Sequence, residues 1–322
     1  MNRLLFFLSS ILLASCSYDN IEIASHHTAP DTTTTPADTS WVASFDTRLL
    51  SVNNGFDSAS SIGPLGDPSL NEVSGIAASY GMPGALWVEE DSGNPSVISL
   101  LGSDGKYLGS MSLNKITDRD WEDMSSAPGP TDGLHYIYLA DIGDNDKKYP
   151  TKYIYRFPEP PVSLGTTPFQ NSISTFDIIS FSFPDGVKNA EAVMVDPSTK
   201  DIYVISKESD KAGVYIASYP QPIGKNFVLT KVGTLPFIKV TAADISPDGT
   251  EIVIKNYTQI YYWKRSLNQS ISSVIRKAPL LLPYVPEPQG ESFCFAADAS
   301  GFYTTSEMTD SNMPPVYFYK RK

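Results

Sequence analysis

Apolar residues come in short runs along this chain, each closed by Gly, Pro, Asp or Asn, and strands joined by turns are the expected elements. After the leader, no window holds a capped apolar stripe of helical period. Five runs share one plan. An oxygen-bearing residue opens an apolar strand, a turn follows, and a second strand ends in polar residues. The opening residues are Ser74, Glu122, Glu191, Thr241 and Glu291, in steps of 48, 69, 50 and 50 residues.

A repeat of roughly 40–50 residues with several strands per unit marks a β-propeller. The pattern predicts an all-β, five-bladed β-propeller over residues 41–322. A sixth, degenerate unit inside the long 69-residue step is the alternative. The segment from Trp41 to Val52 suits a strand but carries no ring motif, and Val316–Tyr319 ends the chain without completing a unit. An N-terminal strand is therefore expected to complete the last blade, since closure removes exposed sheet edges.

Within each unit the opening residue begins an innermost strand, with apolar residues on both parities. That pattern suits a sheet packed between two neighbours. Two and four positions after Glu191 stand Val193 and Val195; after Thr241, Ala243 and Ile245; after Glu291, Phe293 and Phe295. Period-2 geometry then lines the five oxygen residues up around the central tunnel. Three carboxylates on one axis must take up protons, be solvated, or share a cation. An oxygen-only set suits Ca²⁺. Zinc is disfavoured, because no histidine or cysteine takes a ring position. A water-filled tunnel whose acids merely cap strand ends is the other reading.

Composition narrows this further. A formal charge of −12 argues against a nucleic-acid partner. Arg3, the apolar Leu4 to Leu13, and Leu13-Ala14-Ser15-Cys16 read as a bacterial lipoprotein signal over residues 1–16, with Cys16 as the lipidated residue. The run is too short for an ordinary membrane span. Residues 17–40, rich in Thr, Pro and Asp, read as a disordered tether, with His26 and His27 as solvated linker residues. A lipid-anchored, monomeric protein of the bacterial cell envelope is expected. Cys294 would be its only thiol.

The second strands end on one rim in Glu90-Asp91-Ser92-Gly93, Asp141-Ile142-Gly143-Asp144-Asn145, Lys207-Glu208, Lys255-Asn256-Tyr257 and Ser306-Glu307. There Asp91 or Asp141 is the candidate base, and Lys207 and Lys255 the candidate charge-stabilising groups. Asp141 to Asp146 reads as a turn and not an EF-hand, lacking its Gly and late Glu. Asp120 and Asp123 read as strand-end or solvent groups. His135 is the only histidine of the domain, so no nucleophilic triad is expected.

The ring resembles that of the soluble calcium-activated nucleotidases (apyrases), five-bladed propellers with one Ca²⁺ on the axis. Their ring order of Ser, Glu, Glu, Ser, Glu is matched with one Ser-to-Thr change at Thr241. The resemblance spans roughly Glu72 to Glu307, as pattern and not as identity. Glu72-Val73-Ser74 is similar to the family's Glu-Leu-Ser, but Gly75 stands where the family has an acid. Leu86 to Gly93 is similar to a family segment whose arginine is missing here. Lys207 and Lys255 stand where the family carries basic residues. The resemblance implies Ca²⁺ and phosphoanhydride or phosphoester hydrolysis. Two other expectations stand beside it. One is a non-catalytic binding module at the cell surface. The other is a glycan-active propeller, with a carboxylate pair drawn from Asp91, Asp141, Glu208 and Glu307.

Overall fold

The computed structural model describes residues 40–309 and 312–322. The lipobox Cys16, the leader and the tether up to residue 39 lie outside them. The described chain is all-β save for a 3-10 turn and one short helix, Ile271–Ile275, and its strands form five sheets. Each sheet is one blade. Blade 1 runs from the inside outwards as Val73–Ala78, Leu86–Glu90, Val97–Leu101 and Tyr107–Leu113. Blade 2 is Trp121–Pro128, His135–Asp141, Lys152–Pro158 and Asp177–Ser182. Blade 3 is Ala190–Val195, Ile202–Ser206, Ala212–Ala217 and Thr230–Leu235. Blade 4 is Val240–Ile245, Glu251–Asn256, Ile260–Lys264 and Leu280–Leu281. Blade 5 is Cys294–Phe295, Gly301–Thr304 and Pro315–Lys320, completed by Ser60–Pro64.

A segment ahead of blade 1 does complete blade 5, but it is not the Trp41–Val52 stretch. Ser60–Pro64 pairs antiparallel with Pro315–Lys320. Trp41–Val42 instead lies parallel on the outer edge of blade 3, and Val52 bridges to Leu281 at the edge of blade 4. The same device explains the long step between Glu122 and Glu191. Phe169–Ile173 leaves blade 2 between its third and fourth strands and pairs parallel with the outer strand of blade 1. It is a strap and not a sixth blade. Phe227–Val228, from blade 3, covers blade 2 in the same way.

The core lies between the blades, which is why inner strands are apolar on both parities. Ala192 and Met194 pack with Ala243 and Ile245 of blade 4, while Val193 and Val195 pack with Tyr138 and Ile154 of blade 2. The other three interfaces are filled likewise, around Trp87 with Leu139, Val253 with Phe302, and Val88 with Val316. Burial of this apolar area is the main stabilising term, at about 25 cal/mol per Å².

The strict alternation breaks at the ring. The pairing register between first and second strands shifts between Trp121 and Asp123, between Ala190 and Ala192, and between Val240 and Ala242. In blade 1 it shifts between Val73 and Ile76. Glu122, Glu191 and Thr241 are thus the extra residues of β-bulges, and Ser74 shares its bulge with Gly75. Bulges of this kind re-aim side chains at the cost of local pairing. Glu291 lies just before the blade 5 ladder.

Candidate functional site at the tunnel mouth

All five ring residues are buried. The antiparallel register sets their strand starts beside the ends of the second strands, as Val73 with Glu90 and Ala190 with Ser206. Ser74 Oγ donates to the Glu122 carbonyl at 2.8 Å and reaches Glu291 Oε2 at 3.5 Å. Lys207 bridges two ring acids. Its ammonium is paired with Glu191 and lies 3.4 Å from Glu291 Oε1, while also donating to the Tyr257 hydroxyl at 2.8 Å. Tyr257 donates in turn to Glu291 at 2.5 Å. Burial opposes the Lys207 charge, but Glu191 and Glu291 outweigh it and hold the ammonium well above the usual lysine value. Thr241 Oγ1 is buried without a hydrogen-bond partner.

The fourth side of the ring is different. Carboxylate oxygens of Asp91, Asp120 and Glu122 all lie within 4.8 Å of one another. Burial first, then Glu191, Asp91 and Asp120, pushes the Glu122 carboxyl well above its ordinary range. Burial raises Asp91 to about 6 and also raises Asp120. Gly143 closes the cluster from the side. A Cβ there would stand 2.0 Å from Glu122 Oε1 and 2.5 Å from Asp120 Oδ2, so only glycine lets both carboxylates occupy this cradle. Its loop is fixed from below by Lys152, which donates to the Gly143 carbonyl at 2.8 Å and pairs with Asp144 at 3.0 Å. Asn189 stitches the loop to the ring, accepting from Asp144 N at 2.7 Å and donating to Glu191 at 3.1 Å.

The rim candidates separate. Asp91 is at the mouth. Asp141 is buried and held by Arg119 at 3.1 Å and the Tyr155 hydroxyl at 3.3 Å. Lys255 is sealed inside, where its ammonium donates to the Gly290 carbonyl and lies 5.0 Å over the Tyr284 ring. Glu307 is half-buried, and burial followed by Glu291 raises it to about 8. Glu208 faces elsewhere, paired with Lys147 at 3.1 Å and near Lys188 at 3.8 Å. It lines a cavity of about 270 Å³ with Lys147, Lys188, Lys211 and Lys231. That lysine-lined cavity went unnoticed in the sequence, because its lysines come from four separate loops and strands. His135 begins the strand that Asp141 ends, so it lies at the far face, stacked on Tyr80 at 3.5 Å.

Asp120 and Asp123 are not solvent groups. Asp120 belongs to the mouth cluster. Asp123 is wholly buried and accepts from Met124 N at 2.9 Å, from Val193 N of blade 3 at 2.8 Å and from Ala243 N of blade 4 at 3.4 Å. Deeper in the tunnel Asp244 does likewise for Phe295 N of blade 5, at 2.9 Å. These acids satisfy the unpaired inner edges of neighbouring blades. Gly75 has its own reason. A Cβ there would meet Glu89 Oε1 at 2.4 Å and the Asp123 Cα at 2.8 Å, so an acid cannot stand in its place.

No family model and no curated protein matches this chain. Among solved structures, the propeller of Dos1 aligns over 77% of this chain and 68% of its own at 12% identity, with a TM-score of 0.35. A luciferin-regenerating enzyme aligns over 78% and 91% at 10% identity, with a TM-score of 0.44. Neither likeness bears on the side chains at the mouth.

Proposed function

We propose that this propeller binds one divalent cation at the tunnel mouth through Asp91, Asp120 and Glu122, and uses it to hold an anionic ligand. The observation that carries this is the convergence of three carboxylates within 4.8 Å beside a glycine that leaves them room. The donors are all oxygen, and such a set with space for water suits Ca²⁺. When bound, the ion supplies positive charge that neutralises an anionic group and polarises water at the mouth.

The chain's own lysines support the anionic ligand. Lys147, Lys188, Lys211 and Lys231 outnumber the acids Glu208 and Asp210 around a separate cavity, in a molecule of net charge −12. Of the reaction classes open to such a site, hydrolysis of a phosphoester or phosphoanhydride fits best, with Asp91 as the partly exposed carboxylate that orients water. Binding without turnover is the second reading. It is favoured because Lys207, Lys255 and Asp141 are all engaged inside the protein. The Leu13-Ala14-Ser15-Cys16 motif extends the proposal to a lipid-anchored protein of the bacterial cell envelope.

Calcium titration calorimetry on the purified protein tests the cation. One ion per chain, lost in Asp120→Asn and Glu122→Gln, is expected, and equal binding by wild type and variants refutes the site. A screen of phosphoesters and phosphoanhydrides with and without calcium then separates the two readings. Calcium-dependent turnover supports hydrolysis, and saturable binding without turnover supports the module.

A further inference from the structure

We propose that the Glu191–Glu291 side of the axial ring is a second cation site, beside the mouth cluster that Glu122 serves, and that its resident cation is the ammonium of Lys207. Glu191 and Glu291 come from different blades and converge on one Nζ, with Tyr257 completing its surroundings. Lys207 is only partly exposed, its side chain at 19%, while the carboxyl side chains are nearly sealed at 2% and 6%. Two carboxylates brought together this far from water need a positive partner, or one must remain protonated. A tethered ammonium meets that need at no cost in binding entropy. Thr241 Oγ1, buried and unpartnered on the same ring, is a further oxygen open to a metal ion that replaces the ammonium.

Two consequences follow. The blades are joined across the axis by a covalently attached cation, so the fold does not depend on metal. The mouth cation is then free to exchange, and its occupancy serves the ligand and not the architecture.

The test is Lys207→Met, which keeps the stem and removes the charge. Measured in chelator, its melting temperature should fall by roughly 5–10 °C relative to wild type. Added calcium should restore it, and calorimetry should count one more bound calcium than in wild type. By linkage, wild type should lose in chelator only the increment that its mouth ion supplies, smaller than the calcium-dependent gain of Lys207→Met. The triple variant Lys207→Met, Glu191→Gln, Glu291→Gln removes the charge problem at its source, and should melt near wild type in chelator without the extra ion. Equal calcium counts in wild type and Lys207→Met, or a Lys207→Met melt indifferent to calcium, overturns the proposal. So does a triple variant as destabilised as the single one, which would make the lysine's role packing and not charge. If wild type binds no calcium while Lys207→Met binds one, the mouth site fails and the ring site stands.

Discussion

Asp123→Ala removes a carboxylate that ties three blades together across the axis. In the wild type its Oδ2 accepts from both Val193 N and Ala243 N, two amides on the inner edges of blades 3 and 4. Truncation leaves both without an acceptor in a region closed to bulk water. A buried donor left unsatisfied costs about 1–3 kcal/mol. Two of them set a loss of about 2–6 kcal/mol, with the weaker 3.4 Å contact towards the low end. Against this stands the burden of the acid itself, since burial pushes the Asp123 carboxyl well above its usual range while the Val193 and Met124 amides oppose. A net destabilisation of about 2–4 kcal/mol follows. Urea unfolding monitored by tryptophan fluorescence should show a lower midpoint with an unchanged slope. Asp123→Asn, which keeps shape and one acceptor oxygen, should lose less. An alanine variant within about 0.5 kcal/mol of wild type would refute the claim that this residue satisfies the inner edges.

Other outcomes can be checked separately. Gly143→Ala should weaken calcium binding by about tenfold or more, because its Cβ would displace Glu122 and Asp120; unchanged calorimetric affinity would contradict the cradle. Asp244 is raised to about 7, by burial first, against the opposing Phe295 and Ile245 amides and Ser125. The folded state therefore holds a proton that the unfolded state releases near pH 4, so this group's stabilising contribution is complete in acid and is lost as pH rises to about 7. Asp244→Asn should flatten that part of the stability profile and gain stability at pH 8; an unchanged slope would show that the group does not titrate there. Cys16→Ser should abolish labelling by a radioactive fatty acid in the producing bacterium, and retained label would remove the anchor.

Five units and their opening residues were legible because each inner strand repeats the same oxygen-then-apolar pattern. What lay behind that pattern was not. A count of alternate residues fails across a bulge, so Asp123 read as a strand-end or solvent group when it is wholly enclosed in the tunnel. Lys207 read as a rim group because its sequence neighbours are polar. Counting the hairpin from Ala190 to Ser206 would have set it beside Asn189, one residue past the ladder and next to the ring. Asp120 and Gly143 lie just past the Trp121–Asp141 end of the blade 2 ladder, joined by the Gly143 N to Asp120 carbonyl contact at 3.1 Å, and the bulge at Glu122 hides that register from a simple count. The straps were hidden for a related reason: Phe169–Ile173 looks like any short strand, and only its partner tells which blade it serves.

The segment from Trp41 to Pro64 touches blades 3, 4 and 5 in turn before the chain has begun blade 1. In synthesis it emerges before everything it covers. Ser60–Pro64, made ahead of blade 1, meets its partner only once Pro315–Lys320 has been made, so an early strand is among the last to be paired. Closing so distant a contact is slow, because loop entropy is lost before pairing rewards it. Until then the outer edge of blade 5 stands open to other chains. Assembly of blade 5 is therefore a race between Ser60–Pro64 and any neighbour's edge, and it can be won only after Pro315–Lys320 is in place.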